Sequence, residues 1–265
     1  MPMDGFVTVN GLRIHYVDFG GDGRPTVAIH GIASSGWSWA DVAAGLGSSA
    51  RVIAPDLRGH ADSQCSPTDS YGSEDAAADI AALIQELQLG EVDVIGHSWG
   101  GLIAVALTAQ GDVQVRRLVI VDIAPSSTAK PEEVPPRQVE FDTWEAALES
   151  ERKRSPRATD AAITNLTDRT YRPAEGGRFV KKMDPSFLTR WQFRAEDHWE
   201  ALRKLGQPAL VVKAAGSQTI PEDVAERMAS TLPHGRRATV QDSGHAIHVE
   251  NPAGLLAAVK PFLQG

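Results

Sequence analysis

The octet VIGHSWGG, residues 94–101, is the most informative stretch of this 265-residue chain. A β-branched apolar run stops at Gly96, passes through Ser98, and continues through two more glycines into the apolar stretch 102–110. This order predicts a strand, a tight turn with the serine at its tip, and a helix, which together form an elbow that exposes a nucleophile. The helix directs the positive end of its dipole at Ser98, where negative charge would develop. The alternative is an ordinary tight turn in which Ser98 only caps the helix.

Short apolar runs on both sides of the octet predict a parallel sheet. Unbroken apolar runs are typical of strands that are covered on both faces. Residues 75–89 carry apolar side chains at helical spacing, and alternation of strands and helices predicts a doubly wound α/β sheet. Asn10-Gly11 separates two short runs near the start of the chain and predicts a β-hairpin. The predicted strands of the sheet are Thr26–Ile29, Arg51–Ala54, Val92–Ile95, Leu118–Val121 and Ala209–Val212.

The alternation of strands and helices breaks between residues 130 and 206. This segment begins with the proline-rich stretch 130–136, lacks strand-like runs and carries helical patterns instead. Its net charge is +1, whereas the rest of the chain carries −9. We therefore predict a core domain formed by residues 1–129 and 207–265, with residues 130–206 inserted as a helical cap.

Composition and charge exclude several classes of protein. A net charge of −8 argues against nucleic-acid binding, which needs a basic surface. The chain has no stretch of about 18 consecutive apolar residues, so no membrane span is expected. Cys65 is the only cysteine, which excludes an intramolecular disulfide and suits a reducing compartment. The N-terminus lacks a basic region followed by an apolar run, so we expect no signal peptide and a cytoplasmic location. The choice between monomer and homodimer stays open.

Four motifs resemble those of the α/β-hydrolase superfamily and occur in the same order over almost the whole chain. They are His30-Gly31-Ile32, residues 56–60 (DLRGH), the octet, and residues 243–252 (SGHAIHVENP). The resemblance implies an α/β-hydrolase fold, that is, a mostly parallel eight-stranded sheet with an inserted cap. Ala61 departs from the pattern, because many relatives have glycine there, and we expect a small local change without loss of chemistry.

Ser98 is the predicted nucleophile, by resemblance and because it lies at the elbow. A serine hydroxyl needs a general base, and His245 precedes the C-terminal helix at the sheet edge where ligands bind. The backbone N–H of Trp99 follows the nucleophile directly and is the first predicted oxyanion donor. The backbone N–H of Ile32 is the second donor by resemblance. His248 lies near His245, but no cluster of ligands completes a metal site, so we expect neither metal nor cofactor.

The carboxylate that should orient His245 is missing from its usual position. Relatives place it in the loop after the penultimate strand, where this chain has Ser217. Some members of the superfamily take the acid from an earlier strand, and Asp122 ends such a strand here. We therefore predict Asp122 as the acid, although it could also cap the loop that leads into the cap. Glu222 and Asp223 are alternatives, but we expect them to lie in the first turn of a helix.

The serine at the elbow predicts the reaction class. Epoxide hydrolases and haloalkane dehalogenases share the surrounding residues but need a carboxylate nucleophile, whereas Ser98 implies acyl transfer. We expect hydrolysis of an apolar or aromatic carboxylic ester or lactone through an acyl-enzyme. Alternatives are hydrolysis of a C–C bond in a ring-cleavage product and a non-catalytic ligand sensor of the same fold. Candidate pocket residues, each of which could instead serve packing, are Trp37, Trp144, Trp191 and Phe193.

Overall fold

The computed structural model describes all 265 residues and has an eight-stranded sheet at its centre. Eleven strands occur in the chain: β1 Met3–Val9, β2 Leu12–Asp18, β3 Arg24–Ile29, β4 Ala50–Pro55, β5 Val92–His97, β6 Val115–Val121, β7 Glu140–Phe141, β8 Tyr171–Pro173, β9 Phe179–Lys181, β10 Ala209–Ala214 and β11 Gly235–Val240. The main sheet has the order β1-β2-β4-β3-β5-β6-β10-β11. Only the pairs β1–β2 and β2–β4 are antiparallel. The predicted fold class is confirmed.

Nine α-helices accompany the strands: α1 Ala40–Leu46, α2 Ser73–Glu86, α3 Trp99–Gln110, α4 Trp144–Arg154, α5 Asp160–Thr170, α6 Trp199–Lys204, α7 Glu222–Thr231, α8 Ile247–Glu250 and α9 Pro252–Gln264. Helices α2 and α3 contribute to one hydrophobic core, and α1 and α9 contribute to another. None of the nine combines the length and apolar character needed to cross a bilayer.

The two cores explain the unbroken apolar runs within the central strands, such as Leu118–Val121 of β6. Successive side chains of a strand point to opposite faces of the sheet. On β6, Leu118 and Ile120 belong to the core with α2 and α3, whereas Val119 and Val121 belong to the core with α1 and α9. Each face of this strand therefore needs apolar residues, which produces the unbroken run seen in the sequence.

The N-terminal hairpin forms as predicted. Strands β1 and β2 pair through Val9 and Leu12 and leave a two-residue turn. Asn10 and Gly11 have φ values of 50° and 77°, the left-handed conformation that such turns require at both positions.

The segment from 130 to 206, called the insert below, contributes no strand to the main sheet. It contains helices α4, α5 and α6, as predicted, but it is not purely helical. Strands β7, β9 and β8 form a separate three-stranded antiparallel sheet within it. With two or three residues each, these strands are too short to show the alternation that predicts a strand. The boundaries of the two proposed domains stay a prediction.

Ala61 adopts an unusual backbone conformation at the position where the sequence departs from its relatives. Its φ is 47°, and its backbone N–H donates to the carbonyl of Lys182 at 2.8 Å. A residue with a Cβ atom is disfavoured in this left-handed region by roughly 1–2 kcal/mol. The local hydrogen bond holds the conformation although the residue is alanine.

We expect the substitution Ala61→Gly to stabilise the protein, because glycine adopts this conformation without steric cost. The larger entropy of glycine in the unfolded chain offsets part of the gain, so the free energy of unfolding should rise by about 0.5–1 kcal/mol. Urea denaturation measures the change. The matched control Ala44→Gly, at an exposed position in α1, should lower the same free energy by about 1 kcal/mol. A loss of stability in both variants would contradict the argument.

Candidate active site

Ser98 lies between the end of β5 and the start of α3, at the tip of the predicted elbow. Its φ and ψ are 53° and −129°, a conformation that is disfavoured for a residue with a side chain. A Cβ atom at Gly96 would overlap the carbonyl oxygen of Gly100, so the tight turn excludes any side chain there. The elbow is therefore formed by the backbone geometry that the octet predicts.

Ser98, His245 and Asp122 form a continuous hydrogen-bonded chain. The hydroxyl of Ser98 lies 3.0 Å from His245 Nε2, and His245 Nδ1 lies 2.8 Å from Asp122 Oδ2. Asp122 is a carboxylate acceptor, so Nδ1 carries the proton and Nε2 is left to accept the proton of the serine. The structure thus brings together the three residues that sequence analysis selected. Such an arrangement can activate a serine hydroxyl as a nucleophile.

Asp122 is held by the strand next to its own. It follows β6 directly, its side chain is fully buried, and its φ is 52°. Its backbone N–H donates to the carbonyl of Val212 at 2.8 Å, and its Oδ1 accepts from the backbone N–H of Ala214 at 2.9 Å. Both partners belong to β10, which lies beside β6 in the sheet. The carboxylate is therefore fixed by main-chain groups before it meets His245.

The loop after β10, where relatives carry the acid, supplies a hydroxyl instead. Thr219 Oγ1 lies 3.1 Å from His245 Nδ1, as a second acceptor beside Asp122. Ser217 does not contact the imidazole; its Oγ accepts from the backbone N–H of Thr219 at 3.1 Å. Thr219 was not predicted from the sequence, although it lies two residues after the expected acid position.

The two alternative carboxylates lie elsewhere. Glu222 and Asp223 occupy the first turn of α7, as expected from the preceding proline, and Glu222 pairs with Arg237. Neither side chain is hydrogen-bonded to His245, whose Nδ1 partners are Asp122 and Thr219.

The predicted oxyanion donors lie on both sides of Ser98. Trp99 is the first residue of α3, and the N–H groups of the first helical turn have no partner within the helix. The loop after β3 packs against the serine so closely that a Cβ atom at Gly31 would lie 2.8 Å from Ser98 Cβ. Ile32, the next residue, lines the same cavity as Ser98. The Trp99 side chain is not part of that cavity but is buried in the core, where Nε1 donates to Ser73 Oγ at 3.1 Å.

Neighbouring histidines hold the backbone around the site and do not compete as bases. His30 Nδ1 donates to the Gly31 carbonyl at 2.7 Å, and its Nε2 accepts from the Leu57 N–H at 2.9 Å. His97 Nε2 donates to the carbonyl of His245 at 2.7 Å. Burial, followed by the charges of His248 and His245, holds the pKa of His97 well below its ordinary value. Burial lowers the pKa of His248 to about 3.

A cavity of about 540 Å³ opens beside Ser98 and His245. Trp191 and Phe193, two of the predicted pocket residues, line it from the insert. Their rings stack with centroids 5.7 Å apart. The cavity lies between the sheet edge and the insert, so it gives a substrate access to the serine.

The other two predicted pocket residues, Trp37 and Trp144, do not line this cavity. Trp37 lies outside it, where its indole N–H donates to Asp4 at 3.0 Å and Arg169 covers its ring. Trp144 begins α4 and donates its indole N–H to Asp168 at 3.1 Å. Both indoles have polar partners at the protein surface, and these partners are distant in the sequence.

The cavity wall carries charged residues that sequence analysis did not identify. Arg137, Arg154, Arg194 and Glu151 all line it, and all come from the insert. The expected pocket was apolar or aromatic, whereas this wall combines aromatic rings with an excess of positive charge. The only feature of the sequence that points to a positively charged wall is the net charge of the insert, which is +1 in a chain of net charge −8.

One cluster outside the cavity has the donor atoms of a metal site. Ligand atoms of His15, Asp56 and Asp62 lie within 4.8 Å of one another. However, Asp56 Oδ2 lies 2.7 Å from His15 Nδ1, and Oδ1 accepts from the backbone N–H of Gly36 at 2.7 Å. These atoms already hold the loop after β3 in place, which explains the cluster without a metal.

Comparison with known proteins shows the family to which the chain belongs. Residues 25–252 match the model of the α/β-hydrolase fold family. N-formylmaleamate deformylase of Pseudomonas putida is 31% identical over 98% of this chain and 96% of its own. An esterase of Mycobacterium tuberculosis is 25% identical over 99% of this chain and 90% of its own.

Solved structures show the same architecture. The crystal structure of E-2-(acetamidomethylene)succinate hydrolase superposes with a TM-score of 0.88 at 22% identity, and the match covers all of both chains. The family match over most of the chain and the full-length relatives identify this protein as a hydrolase that belongs to the α/β-hydrolase fold family.

Proposed function

We propose that this protein is a serine hydrolase that cleaves an acyl bond through a covalent acyl-enzyme. The observation that carries the proposal is the hydrogen-bonded chain from Ser98 through His245 to the buried Asp122. Ser98 is the nucleophile, His245 is the general base and Asp122 is the acid that orients it. No step of this chemistry needs a cofactor.

The first half of the reaction forms the acyl-enzyme. Ser98 Oγ attacks the substrate carbonyl carbon while its proton passes to His245 Nε2. Asp122 stabilises the resulting imidazolium, and the backbone N–H groups of Trp99 and Ile32 stabilise the oxyanion. The tetrahedral intermediate then collapses, and the leaving group departs with the proton from His245.

The second half releases the acid product. A water molecule attacks the acyl carbon and gives its proton to His245, which returns it to Ser98 as the acyl bond breaks. His245 suits this exchange with water because 41% of its side chain is exposed, whereas Asp122 is fully buried.

A carboxylic ester is the first candidate for the cleaved bond. Esterases are among the full-length relatives, and a lactone is an internal ester that the same steps would open. An N-acyl amide is the second candidate, because the 31% identical relative is named a deformylase of N-formylmaleamate. Both candidates proceed through the same serine and the same acyl-enzyme. C–C bond hydrolysis and ligand sensing without turnover remain the less supported alternatives.

A fluorophosphonate probe tests whether Ser98 is an activated nucleophile. We expect one covalent adduct per chain, located at Ser98 by peptide mass spectrometry, because the probe reacts with serines that have an adjacent base. The Ser98→Ala variant is the control and should remain unlabelled. A folded wild-type protein that is not labelled would contradict the proposal and favour the ligand sensor.

We expect Asp122→Asn to lower kcat by roughly 10⁴-fold, as loss of the orienting carboxylate does in serine proteases. An asparagine keeps the shape but cannot stabilise the imidazolium. Ester hydrolysis under saturating substrate measures the loss, and circular dichroism checks the fold. The controls Glu222→Gln and Asp223→Asn should leave kcat unchanged. A large loss in either control, with normal turnover in Asp122→Asn, would move the acid to α7.

Thr219→Val should lower kcat by roughly fivefold, which corresponds to the loss of one neutral hydrogen bond of about 1 kcal/mol. Thr219 acts as a positioning residue because its hydroxyl is hydrogen-bonded to the imidazole, so the loss should fall on kcat more than on KM. Thr219→Ser retains the hydroxyl and should restore most of the rate. Equal rates for the valine and serine variants would show that this hydroxyl has no part in positioning His245.

A further inference from the structure

We propose that the cavity beside Ser98 selects substrates that carry a carboxylate group, which Arg137 and Arg154 bind. This inference deepens the proposed function and rests on it only for the bond that is cleaved. It replaces the apolar substrate expected from the tryptophans with an anionic one.

The charge of the cavity wall is positive and uncompensated. Three arginines face one glutamate among the charged lining residues. The charge of that glutamate, Glu151, is already engaged: its Oε1 accepts from Lys181 Nζ at 2.6 Å and from the Tyr171 hydroxyl at 2.8 Å. Burial opposes the ionisation of Glu151, but Lys181 and Arg154 outweigh it and lower its pKa to about 2. Glu151 therefore neutralises Lys181 and leaves the arginines without a full counter-ion.

Arg137 is the residue that most clearly lacks a partner. Its Nη1 is buried without a hydrogen-bond partner, and its guanidinium forms no ion pair. Burial and then the nearby charge of Arg154 lower its pKa to about 10, so it stays protonated at neutral pH. A buried guanidinium N–H without an acceptor is unfavourable, and a planar carboxylate is the acceptor whose geometry it matches best.

Arg154 and Arg194 differ in how many of their guanidinium N–H groups are free to bind a ligand. Arg154 lies 4.0 Å from Glu151 Oε1, which is too long for a hydrogen bond, so its N–H groups remain available. Arg194 donates to the backbone carbonyl of Glu133 and lies over the ring of Trp191. Arg154 is therefore the second ligand that we assign, and Arg194 supports the positive potential of the wall.

Arg58 and Arg116, two arginines with structural roles, are paired with carboxylates, whereas Arg137 is not. Arg58 donates from Nε to Asp79 at 2.7 Å and from Nη1 to the Ser70 carbonyl at 2.9 Å. Arg116 binds both carboxylate oxygens of Asp93. A purely structural role for Arg137 would call for similar partners. Arg137 instead lines the cavity without an ion-pair partner, which points to an anionic ligand.

Binding of small dicarboxylates tests the proposal without reference to turnover. We expect maleate and succinate to bind the wild-type protein in isothermal titration, whereas the neutral analogue succinamide should not bind. Arg137→Gln and Arg154→Gln should each raise the Kd of the dianion roughly 10- to 100-fold, as expected for loss of a charge-assisted hydrogen bond. The control Arg172→Gln, at an exposed position of β8, should leave the Kd unchanged.

A pair of ester substrates extends the test to catalysis. 4-Nitrophenyl hemisuccinate carries a free carboxylate, and 4-nitrophenyl butyrate is its neutral counterpart. The wild-type kcat/KM should favour the hemisuccinate by tenfold or more, and Arg137→Gln should remove this preference by raising KM for the anionic ester only. Arg172→Gln should keep the preference.

The binding and turnover experiments together distinguish failure of the anion site from failure of the proposed hydrolase activity. Dicarboxylate binding that Arg137→Gln and Arg154→Gln abolish, in a protein that hydrolyses neither ester, would support the anion site and overturn the hydrolase proposal. Turnover of both esters with equal kcat/KM, together with no dicarboxylate binding, would overturn the anion site and leave the hydrolase proposal intact. Melting temperatures of the variants check the fold, and Arg137→Gln should not lower the value because it removes an unpartnered buried cation.

Discussion

The hydrogen bond between the buried Asp122 and His245 is the interaction on which the proposed chemistry depends. A carboxylate without exposure to water is unfavourable unless its oxygens are engaged. Here the backbone N–H of Ala214 serves one oxygen and the imidazole of His245 serves the other. Strands β6 and β10 must therefore be adjacent, and the loop that bears His245 must return to their ends.

The same requirement explains the position of the site at one edge of the sheet. Strands β5 and β6 are parallel neighbours, so Ser98 and Asp122, which follow them directly, leave the sheet on the same side. Ligands of open α/β sheets bind at this edge. The loops after β3 and β10 end at the same edge and bring Ile32 and Thr219 to the serine and the imidazole.

The sheet and the insert make different contributions to the site. Residues proposed for catalysis come from the ends of the central strands and from the C-terminal loop, whereas the charged wall of the cavity comes from the insert. The insert also supplies the aromatic pair Trp191 and Phe193. In our proposal the sheet performs the chemistry and the insert selects the substrate, so the two functions could change independently.

Sequence analysis predicted the sheet and the proposed triad because these depend on local patterns. Apolar runs at each central strand report burial on both faces, and Ser98 is identified by residues within four positions of it. Asp122 was selected because the usual acid position holds Ser217, an argument that needs only the order of motifs. The short strands of the insert escaped detection because two or three residues carry no period.

Local patterns in the sequence are sufficient to predict the doubly wound architecture, the elbow at Ser98 and the candidates His245 and Asp122. Which insert residues face the serine depends instead on tertiary contacts. Trp191 reaches the cavity and Trp144 does not, although both are tryptophans of the same segment. Arg137 precedes β7 and Arg154 is the last residue of α4, and only folding places both on one wall. Local patterns record whether a side chain is buried, whereas the identity of its neighbours depends on contacts between segments that are distant in the chain.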